Sequence, residues 1–220
     1  MIPHVPAAHT PYPPRPGNLV TPWVDGVAFY GRLHAVLRAA TRCVWGAISF
    51  MHRDFRFPDG TPLWDALDAC AARGVDVRLL FWRNARFSTA GPTDQPTRNV
   101  FHGLPEDLAL LRREGSRLRA RWDDSGGDPR HCHHQKTWLV DVGEAGELAF
   151  VGGMTLGTTT VDDAAHLRPS SRHDVFCELR GPAAVDVAHN FAQRWNEAAR
   201  GPETPPPWPD RARADDLPMP

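Results

Sequence analysis

His134, Lys136 and Asp141 stand at a spacing that suits phosphate chemistry, in the stretch H-Q-K-T-W-L-V-D. In a strand, residues i and i+2 share a face, so His134 and Lys136 are expected to project together. The ammonium can neutralise the non-bridging oxygens of a phosphodiester, and the imidazole can attack phosphorus or carry a proton. A cation beside the imidazole also favours its neutral, nucleophilic form. Asp141 lies farther along, where strand parity puts it on the opposite face. It must reach round a strand end or support the site structurally. The lysine is conspicuous, because the chain has 24 arginines and one lysine. A compact, strongly hydrated ammonium is not reproduced by a planar guanidinium.

Other residues compete for attention. The run His131-Cys132-His133-His134 invites a zinc reading, but adjacent strand residues point to opposite faces, and metal spacings normally leave residues between ligands. No metal and no cofactor are therefore expected, and His133 is read as a structural or supporting histidine. Gly152-Gly153 is either a tight strand exit or a place where a phosphate approaches the backbone closely. His173 and Asp174 could form a helper pair at a cleft, and a solvated loop pair is the blander reading. The stripe Phe191/Trp195 and the indole of Trp138 read as packing.

The elements that must position these residues alternate between helical and strand periodicity. Asp25 is placed to cap a helix carrying Phe29, Leu33, Val36, Leu37 and Ala40 on one face. A buried strand follows at 43–51. Thr61-Pro62 opens a second helix that Gly74 closes, and 75–82 is a second buried strand. This order predicts parallel strands joined by crossover helices. After a polar loop at 83–103 come a helix at 105–114 and a strand at 117–122. Strands at 133–141 and 147–153 are expected to form a hairpin, followed by a polar loop at 157–173, a strand at 174–180 and a helix at 182–199. The fold class is α/β, a mixed sheet sandwiched between helices.

The totals bound the rest. A chain of 220 residues supports one well-packed domain. Its 41% apolar and 23% charged residues are those of an ordinary globular protein. A net charge of −1 gives no whole-chain sign of nucleic-acid binding. Cys43, Cys70, Cys132 and Cys177 are scattered and read as free thiols in a reducing compartment. The first residues lack the basic segment and apolar core of a signal peptide, and no apolar run has the length of a membrane span. The expected location is cytoplasmic, with room for peripheral contact at a membrane. Seven of the 22 prolines fall in 1–22 and seven more in 201–220. Both ends are therefore read as arms, a disordered one at 1–22 and a tail or linker at 201–220, around a folded body at 23–200.

The stretch HHQKTWLVD followed by AFVGG resembles the HKD motif and glycine pair of the phospholipase D superfamily. Three further segments agree: AARGVDVRLLFW upstream, then His173-Asp174-Val175, then Leu179-x-Gly181-Pro182 with Asn190-Phe191-x-Gln193-Arg194-Trp195. The likeness covers roughly residues 25–198 and is to the first, N-terminal half of plant and bacterial phospholipases D. The spacer between Asp141 and Gly152 is longer than usual, and Thr155 stands where many members have asparagine. The resemblance implies a phospholipase D-like α/β/α half. It makes His134, Lys136 and Asp141 catalytic and sets Gly152, Gly153 and Thr155 at the substrate. The implied reaction is phospholipid head-group hydrolysis or transphosphatidylation through a phosphohistidine, with lysines in place of a metal. Members use two facing HKD motifs, so a single lysine makes this chain one half. Its implied partners are a phospholipid or other phosphodiester and a second HKD-bearing half or a homodimer copy. The competing expectations are a nuclease-like phosphodiesterase acting as a homodimer, or a non-catalytic truncated half; nucleic acid ranks below lipid as substrate.

Overall fold

A computed structural model of the chain describes residues 12–82, 100–101, 105–123, 133–165, 167, 171–198 and 215–219. The elements are β1 (Leu19–Val24), α1 (Gly26–Ala39), β2 (Cys43–Ile48), α2 (Leu63–Ala72), β3 (Asp76–Trp82), α3 (Pro105–Leu111), β4 (Arg119–Asp123), β5 (Lys136–Val140), β6 (Leu148–Gly152), β7 (Val175–Arg180) and α4 (Ala184–Ala198). The strands form one sheet in the order β1-β7-β6-β5-β2-β3-β4. β2, β3 and β4 pair in parallel, as crossover helices require, and every other pairing is antiparallel. This is the mixed α/β sandwich expected.

Strand alternation divides the core between the two faces. Val44, Ile48, Leu79, Phe81, Trp138, Val140 and Phe150 pack with Phe29, Leu33 and Leu37 of α1 and Leu63 and Leu67 of α2. Cys43, Ala47, Leu80, Leu139 and Ala149 face the other way, onto Ala184, Ala188, Phe191 and Trp195 of α4. All five residues assigned to the inner face of the first helix are buried. Gly46 makes room for the buried indole of Trp138: a Cβ there would lie 2.9 Å from its ring. Cys43, Cys70 and Cys177 are free thiols, and Cys132 lies outside the described residues.

Three expectations change. Residues 19–22, assigned to an arm by their proline content, belong to β1, which closes the sheet antiparallel to β7. Pro22 is tolerated because β1 is an edge strand, where a missing N–H costs no ladder bond. Asp25 does not cap α1: its φ is 63° and its carboxylate makes no capping hydrogen bond, turning instead to His173 Nδ1 at 2.9 Å. Within the expected tail, residues 215–217 are bonded to β3, β4 and α4. The loop expected at 83–103 lies almost wholly outside the described residues, as do His131 and Cys132. No helix among the described residues is long and apolar enough to cross a membrane.

Candidate active site

Register collects one end of the sheet. Ile48 of β2 lies opposite Lys136 of β5, Ile48 is level with Phe81 of β3, and Trp82 is level with Asp123 of β4. Thr137 pairs with Val151, so continuing the ladder puts Gly152 abreast of Lys136. The carboxyl ends of the parallel strands and the start of β5 therefore share one edge. Ligands of open α/β sheets gather at such edges.

His134 stands just outside the strand that was expected to contain it. β5 begins at Lys136, because His134 has φ 38° and leaves the pleat. A left-handed non-glycine residue is uncommon and costs local strain. The two side chains nevertheless meet: Lys136 Nζ lies 3.3 Å from His134 Nε2 and donates to the His134 carbonyl at 3.3 Å. Lys136 is 5% exposed, whereas the His134 ring is open to solvent. An ammonium has only donors, so this contact is a hydrogen bond when Nε2 offers its lone pair. Partial burial, and then the charge of Lys136, lower the pKa of His134 below the ordinary histidine value. The geometry sets an imidazole nitrogen beside a lysine amine, and both causes favour the neutral ring.

Phe50 forms the floor of this pair. Its ring centroid is 5.6 Å from that of His134 and 5.9 Å from Lys136 Nζ, and the Trp82 ring meets it at 5.0 Å. Neither aromatic was singled out from sequence. Their signal was positional, at the carboxyl ends of two strands already read as parallel.

A second polar group holds the His134 segment from the α4 side. Gln135 Nε2 donates to Asn190 Oδ1 of α4 at 3.0 Å, and the Gln135 amide donates to His133 Nδ1 at 3.2 Å. Arg194, one helical turn after Asn190, donates to Asp123 at the end of β4. Burial pushes the His133 pKa down to about 4; Asp123 opposes this, and Arg194 and Lys136 add to it. His133 and His134 thus have different neighbours, and the adjacent-histidine cluster divides between two surroundings.

Asp141 sits at the far end of β5. Its carboxylate accepts from the amides of Thr41 at 3.0 Å, Arg42 at 2.7 Å and Cys43 at 3.2 Å. Its own φ is 54°, so left-handed residues bound both ends of the strand. The carboxylate ties the start of β2 to the end of β5, at the opposite end of the strand from Lys136. Gly152 and Gly153 stay on the edge beside Lys136, but their missing side chains are accounted for by β7. A Cβ on Gly152 would come 2.4 Å from the Val175 carbonyl, and one on Gly153 would come 2.4 Å from the Asp174 carboxylate. The Thr155 carbonyl accepts from the Tyr30 hydroxyl at 2.6 Å, which closes the loop after β6 onto α1. His173 pairs with buried Asp25 rather than with Asp174.

A seven-stranded mixed sheet flanked by helices, with an imidazole–ammonium pair at the carboxyl edge of its parallel strands, fits the α/β half that the sequence resemblance implied. Comparison with known proteins agrees. The chain is 27% identical over 219 residues to phospholipase D gamma 3 of Arabidopsis thaliana, covering 81% of this chain and 25% of that protein. It is 33% identical over 186 residues to phospholipase D delta of the same plant, covering 63% and 21%. Among solved structures, NucT from Helicobacter pylori superposes with a TM-score of 0.53 at 13% identity, over 83% of this chain and 98% of that one. Phosphatidylserine synthase from Haemophilus influenzae Rd KW20 gives 0.53 at 13%, over 84% and 40%. No family model matches. The chain is related to the phospholipase D superfamily over most of its length, and it spans about a quarter of the plant phospholipases D it matches.

Proposed function

We propose that this chain supplies one half of a phosphodiesterase site of the phospholipase D type, completed by a second H-x-K-x-x-x-x-D motif from another polypeptide. The observation that carries the reading is the 3.3 Å approach of Lys136 Nζ to His134 Nε2 at the strand edge. His134 Nε2 attacks phosphorus, and the ester bond to the leaving alcohol breaks as the phosphohistidine forms. The partner's imidazole gives its proton to the departing oxygen. That imidazole then takes a proton from water, or from an acceptor alcohol, whose oxygen attacks phosphorus and frees His134. Lys136 offsets the charge on the non-bridging oxygens in both steps, the role a preorganised cation fills best in a partly dry site. Asp141 acts at a distance by fixing β5 against β2. Gly152 and Gly153 present backbone, not side chains, on the edge beside Lys136, where a phosphate would lie.

The same reading calls for a second chain. In-line displacement requires an attacking group and a proton donor on opposite sides of the phosphorus, and the chain's only lysine is spent on one motif. His133 is no substitute in this reading, because it is half-buried beside Asp123, Arg194 and Gln135. The substrate proposed is a phospholipid head group, in keeping with the relatives in sequence, at a cytoplasmic membrane surface. Gel filtration combined with hydrolysis of phosphatidylcholine and of bis(p-nitrophenyl) phosphate tests this. The reading expects a monomer with little activity that gains turnover on both substrates when the second half is added. Full activity as a dimer of this chain would instead favour a symmetric site, in which two copies of the pair meet across a twofold axis.

A further inference from the structure

The described C-terminal residues occupy a built groove. Arg121 of β4 is 1% exposed, and its Nη1 donates to the Trp195 carbonyl at 2.6 Å and to Asp216 Oδ1 at 3.0 Å. Arg78 of β3 donates to the Asp215 carbonyl at 2.7 Å, and Arg119 lies 2.8 Å from the Asp215 carboxylate. The guanidinium carbons of Arg78 and Arg121 sit 5.2 and 4.5 Å from the Trp195 ring centroid. The Trp195 Nε1–H donates to the Asp215 carbonyl at 3.0 Å. Asn196 reads the next residue through its backbone, donating to the Leu217 carbonyl at 2.9 Å and accepting from the Leu217 amide at 2.8 Å. The Leu217 side chain is 7% exposed and joins the α4 face of the core.

We propose that this groove is a recognition site for an acidic–acidic–aliphatic segment, filled in cis by Asp215-Asp216-Leu217, and that its occupancy sets the seating of α4 on the catalytic edge. The chemistry is selective at each position. Guanidiniums receive the two aspartates, the paired bonds of an asparagine amide receive a peptide unit, and the apolar layer under α4 receives a leucine. The connection to the site is short. Trp195 and Asn196 follow Arg194 directly on α4, and Arg194 grips Asp123, two residues beyond Arg121 on β4. The docked segment and the Arg194–Asp123 pair therefore clamp the same helix to the same strand, beside His133.

The test uses the full chain carrying Asp216→Ala and Leu217→Ala together, with a synthetic peptide of residues 213–220 as the probe. The variant should melt below the wild type and bind the peptide one-to-one, at least roughly tenfold more tightly than does the wild type, whose own segment competes. The His133 ring resonances should move in the variant and return when peptide is added. In the wild type, the Leu217 amide should exchange slowly with solvent, a readout that does not depend on the variant folding. Exchange of Leu217 at the rate of an unfolded chain, or a variant that melts like the wild type and binds no peptide, would overturn the docking. Peptide binding with unmoved His133 resonances would overturn the link to the catalytic edge.

Discussion

Lys136 Nζ lies 3.3 Å from His134 Nε2 although only Lys136 is in a strand; the left-handed turn at His134 brings the ring back over the strand start. The pair is thus produced by a bend, not by the pleat alone. Two causes depress the His134 pKa, burial first and Lys136 second. Replacing Lys136 by methionine should therefore raise that pKa while leaving it below the ordinary histidine value. A histidine titration followed by NMR measures this on the isolated chain. A His134 pKa that falls or stays fixed in Lys136→Met would show that the ammonium does not act on the ring.

Asp141 is predicted to matter for stability before it matters for chemistry. Asp141→Ala removes the acceptor for the Thr41, Arg42 and Cys43 amides and leaves a left-handed residue without its compensating bonds. A loss of about 1–3 kcal/mol in denaturant unfolding is expected. Asp141→Asn, which tolerates the same backbone and keeps one carbonyl oxygen, should lose less. Equal losses would argue that the charge, and not the bonded oxygen, is what the strand end requires.

Acid should unfold the protein in two stages. His133 is held down to about 4 from an ordinary 6.5, so below pH 6.5 the unfolded chain takes up a proton that the folded chain refuses. Stability declines from there toward pH 4. For Glu178, burial alone would raise the pKa, but hydrogen bonds from Arg32, Arg180 and Trp23 outweigh it and hold the carboxyl at about 2. Its contribution is complete above pH 4.5 and is lost between pH 4.5 and 2. Melting temperatures across pH 2–7 check both stages, and His133→Phe should flatten the upper one.

Glycine tests the packing of the site's edge. Gly153→Ala would drive a methyl group into the Asp174 carboxylate, and Gly46→Ala would meet the Trp138 ring. Gly46→Ala should cost roughly 1–3 kcal/mol, the usual range for overpacking, and Gly153→Ala less, because the Asp174 carboxylate can swing aside. An activity loss in Gly153→Ala at unchanged stability would instead assign the glycine to the substrate.

How much of this was legible in the sequence depends on whether the deciding physics was local. The parallel β2–β3 unit and the buried face of α1 follow from periodicity, and the structure has them, whereas His134 meets Lys136 through a left-handed bend and not through the strand parity from which the pair was expected. β1 was hidden because its prolines suggest an arm, and only its pairing with β7 makes it a strand. Asp25 looks like a helix cap by residue type, yet its positive φ and its bond to His173 arise from contacts with a distant loop. Phe50, Trp82, the Gln135–Asn190 bond and the docking of Leu217 depend on elements far apart in the chain, and no spacing rule reaches them. Asp141 was half legible: parity excluded it from the His134 face but could not name the three amides it holds.

Chemistry that rests on lysine and histidine should not depend on a divalent ion. Treatment with a chelator is predicted to leave the melting temperature, and the activity of the completed site, unchanged. Elemental analysis showing one tightly held zinc per chain, lost together with activity on chelation, would reverse that prediction and return His133 and its neighbours to the role of ligands.

The central claim, that His134 of this chain performs catalysis in a site shared with a second motif, is tested most directly by one rate measurement. Hydrolysis of bis(p-nitrophenyl) phosphate is followed for the wild type and for His134→Ala, each alone and each mixed with a polypeptide carrying the second H-x-K-x-x-x-x-D motif. The predicted result is turnover only in the wild-type mixture, reduced by roughly 10³-fold or more in the His134→Ala mixture. Hydrolysis that persists in the His134→Ala mixture at the wild-type rate would contradict the assignment.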